Sequence, residues 1–246
     1  MTLWETRRGA VLAAFSRRGD APPEIPSATA HLARRLAESL GHADLPIARA
    51  TQVHGRRVVA VRHAIPPRET ELAGEGDVLV TTRPGVALAV QTADCVPILL
   101  FSEDGVAAVH AGWRGTLAGA AAEGVRALAE ESGRTPSGMH AVIGPAIGIC
   151  CYEIGGEVAA SFAGDFLRRG CGGKFRLDLK GANRAQLVAA GVPADRIEVL
   201  PFCTRCGGPH LASYRRDGAG AGRMIALVAR LETGRGAPSL DSLPPA

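Results

Sequence analysis

Three short apolar runs dominate the pattern of hydrophobic and polar positions in the middle of the chain. They are VALAV, VPILLF and VAAVH, they lie between residues 86 and 110, and short polar segments separate them. Runs of this length that are rich in β-branched residues and bounded by turn residues are typical of buried β-strands. The same pattern predicts further strands within 1–15, 47–53, 58–61, 74–85, 139–148 and 197–204, and a strand or short helix over 224–231.

Helical periodicity marks four other segments. Between Ser27 and Leu40 the leucines recur every four residues, and Gly41 follows as a residue that favours the end of a helix. The other predicted helices are Thr116–Glu131, Glu157–Arg169 and a helix that Asn183 caps and that runs to Ala190.

Strand and helix patterns mixed along one chain indicate an α/β protein in which helices flank a mixed sheet. A length of 246 residues suits one large domain or two small ones. Neither an internal repeat nor a linker divides this sequence. We therefore predict a single domain over residues 1–233, followed by a mobile C-terminal tail over 234–246.

Composition narrows the classes of partner. The formal net charge is +4, the arginines are scattered, and aromatic residues make up only 4% of the chain. A nucleic-acid surface that stacks bases on aromatic side chains is therefore not indicated. No segment approaches the roughly 20 consecutive apolar residues of a membrane span, and no secretion signal is evident. We expect a cytoplasmic protein with reduced thiols that acts on a small molecule; the sequence leaves the oligomeric state open.

Two histidines and one cysteine are the leading candidates for chemistry. His54 in TQVHG, Cys95 in QTADCVP and His110 in VHAGWRG each lie where a strand-like run ends in a polar or glycine-rich turn. Two imidazoles and a thiolate form a strong ligand set for zinc. Three protein ligands leave a tetrahedral ion with one open position, as in catalytic zinc sites. The same set also occurs in copper proteins, which need a further weak axial ligand.

Other interpretations of these residues stay open. Cys95 can instead be a nucleophile with His110 as its base, which would give an amidase or deamidase. Asp94, beside the cysteine, is either an acid/base group or the residue that forms an Asx turn. The helix start in GWRGT can bind phosphate together with Arg114, and Arg215 is a second candidate for an anion site.

The CxxC pair Cys203 and Cys206 has a weaker interpretation. A zinc site would need a second cysteine pair, and the adjacent Cys150 and Cys151 are poorly placed to chelate together. The sequence therefore favours a structural role for these cysteines.

Several segments resemble the bacterial YfiH family, also called the laccase-domain or multicopper polyphenol oxidase-like family. They span roughly residues 50 to 225 and follow the order of the family. The matching segments are TQVHG, GDVLVT, QTADCVPILL, AAVHAGWRGTLAG, IGPAIGICCYEIG, DLKGANRAQL, CTRC and SYRRDGAGAGRM. The chain departs from the family at FSRRGDAPPEIPS, at Leu32-Ala33 and at Leu211-Ala212, which are segments expected to face the substrate.

The resemblance implies an α/β fold similar to that of cysteine-dependent deamidase toxins. It implies zinc bound by His54, Cys95 and His110. It also implies a purine nucleoside phosphorylase and adenosine deaminase, which cleaves adenosine, inosine and methylthioadenosine with phosphate and deaminates adenosine. Older descriptions of the family imply a copper-dependent polyphenol oxidase instead.

Overall fold

The computed structural model describes residues 1–19 and 26–232, and within these ranges the chain forms fifteen strands and six α-helices. The strands are β1 (Thr2–Arg8), β2 (Val11–Ser16), β3 (Ile47–Thr51), β4 (Val58–Ala60), β5 (Thr70–Glu75), β6 (Val78–Thr81), β7 (Val86–Thr92), β8 (Val96–Phe101), β9 (Val106–Ala111), β10 (His140–Ile143), β11 (Glu153–Ile154), β12 (Leu167–Arg169), β13 (Phe175–Leu177), β14 (Ile197–Val199) and β15 (Met224–Arg230). The helices are α1 (Pro26–Ser39), α2 (Trp113–Ala118), α3 (Ala120–Ser132), α4 (Gly156–Ala159), α5 (Leu179–Ala189) and α6 (Tyr214–Asp217).

The strands form two six-stranded sheets and one small sheet. The first large sheet has the order β1-β2-β15-β7-β3-β5, and the second has the order β14-β10-β8-β9-β6-β4. Both are mixed. In the first, β15 pairs antiparallel with β7 and β3 pairs parallel with β7; in the second, β8 and β9 pair antiparallel and β4 and β6 pair parallel. The small sheet consists of β11, β13 and β12.

The two large sheets pack face to face, and the alternation of side chains explains how. All six residues of β8 are buried. Leu99 and Phe101 join a core cluster that also contains residues of β2, β7 and β15, whereas Ile98 and Leu100 pack with α3 and α5 on the other face. Because successive side chains of a strand point to opposite faces, a strand buried on both faces needs a continuous apolar run.

Helices cover the outer faces of both sheets. Leu128 of α3 and Leu187 of α5 pack against the second sheet, and Leu32 and Leu36 of α1 pack against the first. The result is a four-layer arrangement of helix, sheet, sheet and helix. Over the ranges given above, no helix combines the length and the apolar character that crossing a membrane requires.

The mixed α/β class is confirmed, but the single flanked sheet predicted from sequence is wrong, because the strands are divided between two large sheets and one small sheet. Apolar runs buried on both faces look alike in sequence, so periodicity cannot assign them to one sheet or the other. The N-terminal segment likewise forms a hairpin of β1 and β2 rather than one strand, with Gly9 at a φ of 54° in the turn.

The predicted helix Thr116–Glu131 is interrupted. Gly119 adopts a left-handed conformation with a φ of 85°, which ends α2 and begins α3. The helix expected after Asn183 begins earlier, because the Asp178 side chain accepts a hydrogen bond from the Gly181 backbone N–H and caps α5. Asn183 is instead buried inside that helix, where it donates to the Thr116 hydroxyl at 2.9 Å.

The predicted helix Glu157–Arg169 is also wrong. Only the short helix α4 and a 3₁₀ turn over Gly164–Phe166 form there, and Leu167–Arg169 pairs antiparallel with Phe175–Leu177 as a hairpin. Glycines at 172 and 173 adopt positive φ in the connecting turn, which favours the hairpin over a continued helix. The predicted mobile tail at 234–246 lies outside the described residues.

Candidate active site

Strand geometry brings His54, Cys95 and His110 to one end of the space between the large sheets. His110 belongs to β9, and its alternate neighbours Val106 and Ala108 face the first sheet. Cys95 lies directly before β8, and His54 follows β3. Both of these strands contribute to the same core cluster. The alternation of side chains along β9 directs His110 toward the intersheet side, and the turns before β8 and after β3 bring Cys95 and His54 beside it.

The three side chains form a compact group of ligand atoms. One donor atom from each residue lies within 4.8 Å of the donor atoms of the other two. The two imidazole rings are 4.9 Å apart between centroids and nearly perpendicular. His110 is buried, Cys95 is half-buried and His54 is exposed. The group can therefore hold one metal ion that remains reachable from solvent.

Asp77 organises this group, although the sequence analysis did not single it out. Its carboxylate Oδ1 accepts a hydrogen bond from His110 Nδ1 at 2.8 Å. The same carboxylate accepts the backbone N–H groups of His54 at 3.0 Å and Gly55 at 2.7 Å. Asp77 is fully buried. It therefore orients His110 so that Nε2 faces the cysteine, and it also holds the turn that carries His54.

The charges of these residues are coupled. Burial raises the pKa of Cys95, but the charge of His110 and hydrogen bonds from His110 and His54 outweigh it and lower that pKa to about 6. Burial opposes the protonation of His110, but the charge of Cys95 and the hydrogen bonds to Asp77 and Cys95 raise its pKa to about 9. Without a metal ion, these two residues form a thiolate–imidazolium pair.

The backbone around the three residues lies unusually close to their side chains. A Cβ atom at Gly112 would lie 3.0 Å from Cys95 Sγ and 3.3 Å from His54 Cδ2. His54 itself adopts a φ of 61°, a left-handed conformation that is uncommon for a residue with a side chain. Such local strain is typical of functional sites, and here the hydrogen bonds that the backbone N–H groups of His54 and Gly55 donate to Asp77 sustain it.

A cleft of about 460 Å³ opens above the three residues. Arg114, Tyr152 and Arg215 line it together with the histidines and the cysteine. The Arg114 guanidinium stacks over Trp113 at 4.3 Å, and no carboxylate or hydrogen-bond partner for it occurs in the described part of the chain. Arg215 donates to the Glu153 carbonyl at 2.6 Å. Both arginines proposed for an anion site therefore reach the same cleft.

Asp94 lies in this cleft with both carboxylate oxygens engaged. Oδ1 accepts the Thr204 hydroxyl and Oδ2 accepts the Arg215 backbone N–H, each at 2.6 Å. Its φ of 89° places it in a tight turn before Cys95. These contacts support a positioning role for Asp94, which joins the strand that leads to Cys95 to the segment that carries Arg215.

The four cysteines at 150, 151, 203 and 206 also converge, and this corrects the expectation that the adjacent Cys150 and Cys151 are poorly placed to chelate together. One sulfur from each lies within 4.8 Å of the other three. Adjacent cysteines chelate poorly from a regular strand or helix, but Cys150 and Cys151 lie in a turn, which lets both sulfurs face the CxxC pair.

The protein is an α/β protein with a candidate metal centre. Two mixed sheets pack between helices, and two histidines and a cysteine lie together at the base of a cleft. Residues 12–231 match the model of the family described as multi-copper polyphenol oxidoreductase laccase. The chain belongs to this family, and the resemblance to the YfiH proteins is confirmed.

Relatives and solved structures extend this result. The chain is 38% identical over 225 residues to adenosine deaminase RL5 of an unknown prokaryotic organism, covering 86% of this chain and 84% of that protein. It is 39% identical over 215 residues to the purine nucleoside phosphorylase YlmD of Geobacillus stearothermophilus, covering 81% and 77%. The crystal structure of the Bacillus licheniformis hypothetical protein YfiH superimposes with a TM-score of 0.80 at 31% identity, covering 90% and 93%.

Proposed function

We propose that this protein is a zinc-dependent purine nucleoside enzyme that cleaves adenosine, inosine and methylthioadenosine with phosphate and deaminates adenosine. The names of the two curated relatives described above support both reactions. The observation that carries the proposal is the convergence of His54, Cys95 and His110 at a cleft that also contains two arginines. Its volume lies within the range of small-molecule sites.

The ligand set suits zinc. Imidazole nitrogen and thiolate sulfur are its usual ligands, and within the described ranges no fourth histidine, cysteine or carboxylate joins these three. Asp77 accepts a hydrogen bond from His110 Nδ1 and so leaves Nε2 for the metal, as carboxylates beside ligating histidines commonly do. Bound there, zinc would supply Lewis acidity toward water or a substrate oxygen.

In phosphorolysis, the bond between ribose C1′ and the purine nitrogen breaks while C1′ forms a bond to a phosphate oxygen, and the base leaves with a proton. The chain must therefore hold an anion next to the sugar. Arg114 and Arg215 lie on the cleft wall with guanidinium groups that can pair with phosphate oxygens. Burial and the charge of Cys95 raise the pKa of Tyr152 to about 12, so its hydroxyl stays protonated and can donate a hydrogen bond to substrate.

In deamination, water adds at purine C6 and the amino group leaves as ammonia. The chain must then move protons to and from the reacting atoms. The sequence leaves Asp94 open as an acid/base group, but its carboxylate oxygens accept hydrogen bonds from the Thr204 hydroxyl and the Arg215 backbone N–H. We therefore propose that Asp94 positions the cleft wall.

A second candidate function follows from one further observation. Cys95, His110 and Asp77 are linked by hydrogen bonds in the order of a nucleophile, its base and an orienting carboxylate. This arrangement would suit an amidase or deamidase. We favour the metal enzyme because a second imidazole, that of His54, also forms a hydrogen bond to the Cys95 sulfur. A cysteine nucleophile needs only one base.

Copper is the third possibility. A His₂Cys copper site usually has a weak axial ligand such as methionine. Met139 and Met224 are buried in the core, and no methionine lines the cleft among the residues that the structure describes. The geometry therefore supports zinc over an electron-transfer copper site.

We further propose that residues 1–233 form one domain, which the core shared by the two large sheets supports. We also propose that the enzyme is cytoplasmic, where thiols stay reduced.

The deciding experiment is a turnover assay on zinc-loaded protein with adenosine and inosine, each with and without phosphate. We expect free base and ribose 1-phosphate only when phosphate is present, and inosine with ammonia from adenosine in either case. Cys95→Ala should lose both activities by at least roughly 100-fold. The exposed Cys171 supplies the matched control, and Cys171→Ala should keep full activity. Full activity in Cys95→Ala would refute the proposal.

A further inference from the structure

A second group of sulfurs lies outside the site described above. Cys150 and Cys151 come from the turn after β10, and Cys203 and Cys206 come from the loop after β14. The Sγ atoms of Cys150 and Cys206 are 3.7 Å apart, and all four sulfurs lie within 4.8 Å of one another. Two chain segments separated by about fifty residues therefore bring four thiols to one point.

The distance between the Sγ atoms of Cys150 and Cys206 is that of two ligands in a tetrahedral metal site. With zinc–sulfur bonds of about 2.3 Å, the sulfurs of a tetrahedral site lie about 3.8 Å apart. The separation of Cys150 and Cys206 matches this value. It is far longer than a disulfide bond, which is about 2.05 Å.

The backbone supports the sulfur of Cys203 in its charged form. The backbone N–H of Gly148 donates to Cys203 Sγ at 3.3 Å, and the N–H of Cys206 donates to the same sulfur. Hydrogen bonds from backbone N–H groups stabilise a thiolate, which is the form that binds metal. Because these donors belong to both segments, they also orient the sulfur toward the other three.

Two glycines make room for this geometry. A Cβ atom at Gly148 would lie 3.2 Å from Cys150 Sγ and 3.3 Å from Cys203 Cβ. At Gly207 it would lie 2.5 Å from the Cys203 carbonyl oxygen, so only glycine fits the turn that closes the CxxC loop. The Lys180 ammonium donates to the Leu200 carbonyl at 2.7 Å, and its charge acts on Cys203. It can therefore balance part of the negative charge of four thiolates.

We propose that Cys150, Cys151, Cys203 and Cys206 bind a second, structural zinc ion. Four protein ligands close the coordination shell, and this distinguishes a structural zinc from a catalytic one. The proposal is independent of the reaction at the first site.

The place of these cysteines in the fold gives the second ion its role. Cys151 precedes Tyr152, which lines the cleft, and Thr204 lies between the two cysteines of the CxxC pair. The Thr204 hydroxyl donates to Asp94, the residue before Cys95. A metal that joins the two segments therefore fixes one wall of the cleft against the turn that carries Cys95.

The test is the number of zinc ions per chain in purified protein, measured by elemental mass spectrometry. Wild-type protein should hold two zinc ions per chain. A variant with His54→Ala, Cys95→Ala and His110→Ala together should keep one, and this variant leaves the four-cysteine group intact. Replacing its zinc with cobalt should give the absorption of a tetrahedral site with four thiolate ligands, including a sulfur-to-cobalt charge-transfer band.

A second variant examines the other site. Cys150→Ser with Cys206→Ser should lose one zinc and keep one, with a lower melting temperature, and Cys171→Ser should keep both ions as the matched control. If the triple variant binds no zinc or cobalt, the proposal is wrong. A Cys150–Cys206 disulfide in protein purified without reductant and with one zinc per chain would also overturn it, because the group would then be a redox pair.

Discussion

Asp77 and His110 face each other across neighbouring strands, with the carboxylate Oδ1 2.8 Å from the imidazole Nδ1. The pairing follows from the register of β6 and β9, in which Val78 lies opposite Val109 and the His110 backbone N–H donates to the Asp77 carbonyl. The side chains of both residues are buried. A buried charged carboxylate needs hydrogen-bond donors. Here the donors are the His110 imidazole and the backbone N–H groups of the turn that carries His54.

Replacing this carboxylate should weaken the metal site without removing a ligand. In Asp77→Asn we expect metal affinity or turnover to fall by about 10–100-fold, since the outer partner of a ligating histidine sets its orientation and basicity. Loss of bonds to the backbone N–H groups of His54 and Gly55 should also lower the free energy of unfolding by about 1–3 kcal/mol.

Zinc affinity from competition with a chromogenic chelator and denaturant unfolding would measure the two effects. Asp104→Asn is the control, because Asp104 is an exposed carboxylate that pairs with Arg134 at the surface. Equal zinc affinity in Asp77→Asn and wild type would show that Asp77 does not act on the metal.

Gly112 should be sensitive to a single added methyl group. In Gly112→Ala the new Cβ would press on Cys95 Sγ and His54 Cδ2, at 3.0 and 3.3 Å. We expect lower zinc retention and lower turnover in a protein that still folds, because the contact lies at the site rather than in the core. The comparison is Gly138→Ala, where a Cβ meets nothing within 4 Å. Parallel metal analysis and circular dichroism of the two variants would separate a local effect from a general one, and similar behaviour of both would contradict the prediction.

The reactivity of Cys95 in metal-free protein should depend on pH in a defined way. The nearby histidines lower its pKa to about 6, so the thiol is protonated below that pH and becomes a reactive thiolate above it. Alkylation by iodoacetamide, followed by peptide mass spectrometry at each pH, should therefore rise with a midpoint near 6 rather than near the usual value of about 8.5.

Adding zinc should suppress this alkylation, because a metal-bound thiolate is a poorer nucleophile. Fast labelling of Cys95 in zinc-loaded protein would favour the amidase alternative instead. The exposed Cys171 provides an internal reference, since its labelling should not respond to zinc.

Arg114 should contribute to phosphate binding and not to the deamination of adenosine. Its guanidinium faces the cleft and stacks on Trp113. A hydrogen bond to a charged group contributes about 1.5–3 kcal/mol, so Arg114→Gln should raise the KM for phosphate by about 10–150-fold. Deamination without phosphate should change little. Arg126→Gln removes an arginine that pairs with Glu123 and Glu130 on α3, and it should leave both activities unaltered. A matching loss of both reactions in Arg114→Gln would assign the residue to nucleoside binding.

Much of the candidate site is predictable from the sequence. His54, Cys95 and His110 each follow or end an apolar run, and the structure brings all three together. Arg114 and Arg215 reach the same cleft, as expected for an anion site. Asp77 was missed because it precedes a strand in GDVLVT, where an aspartate equally suits an ordinary turn. Its importance depends on pairing with strand β9, which is distant along the chain, so the residues around Asp77 do not reveal it.

By itself, the sequence determined the strand-forming runs, the candidate metal ligands, the places where strands end and the family. These depend on local chemistry, because apolar periodicity and side-chain type are properties of a few neighbouring residues. Only the tertiary structure decided that the strands divide between two large sheets and a small one, that Asp77 lies opposite His110, and that Cys150 and Cys151 meet the CxxC pair. Each of these depends on strand pairing and loop packing between distant segments, whose register is set by the whole core and not by any one stretch of chain.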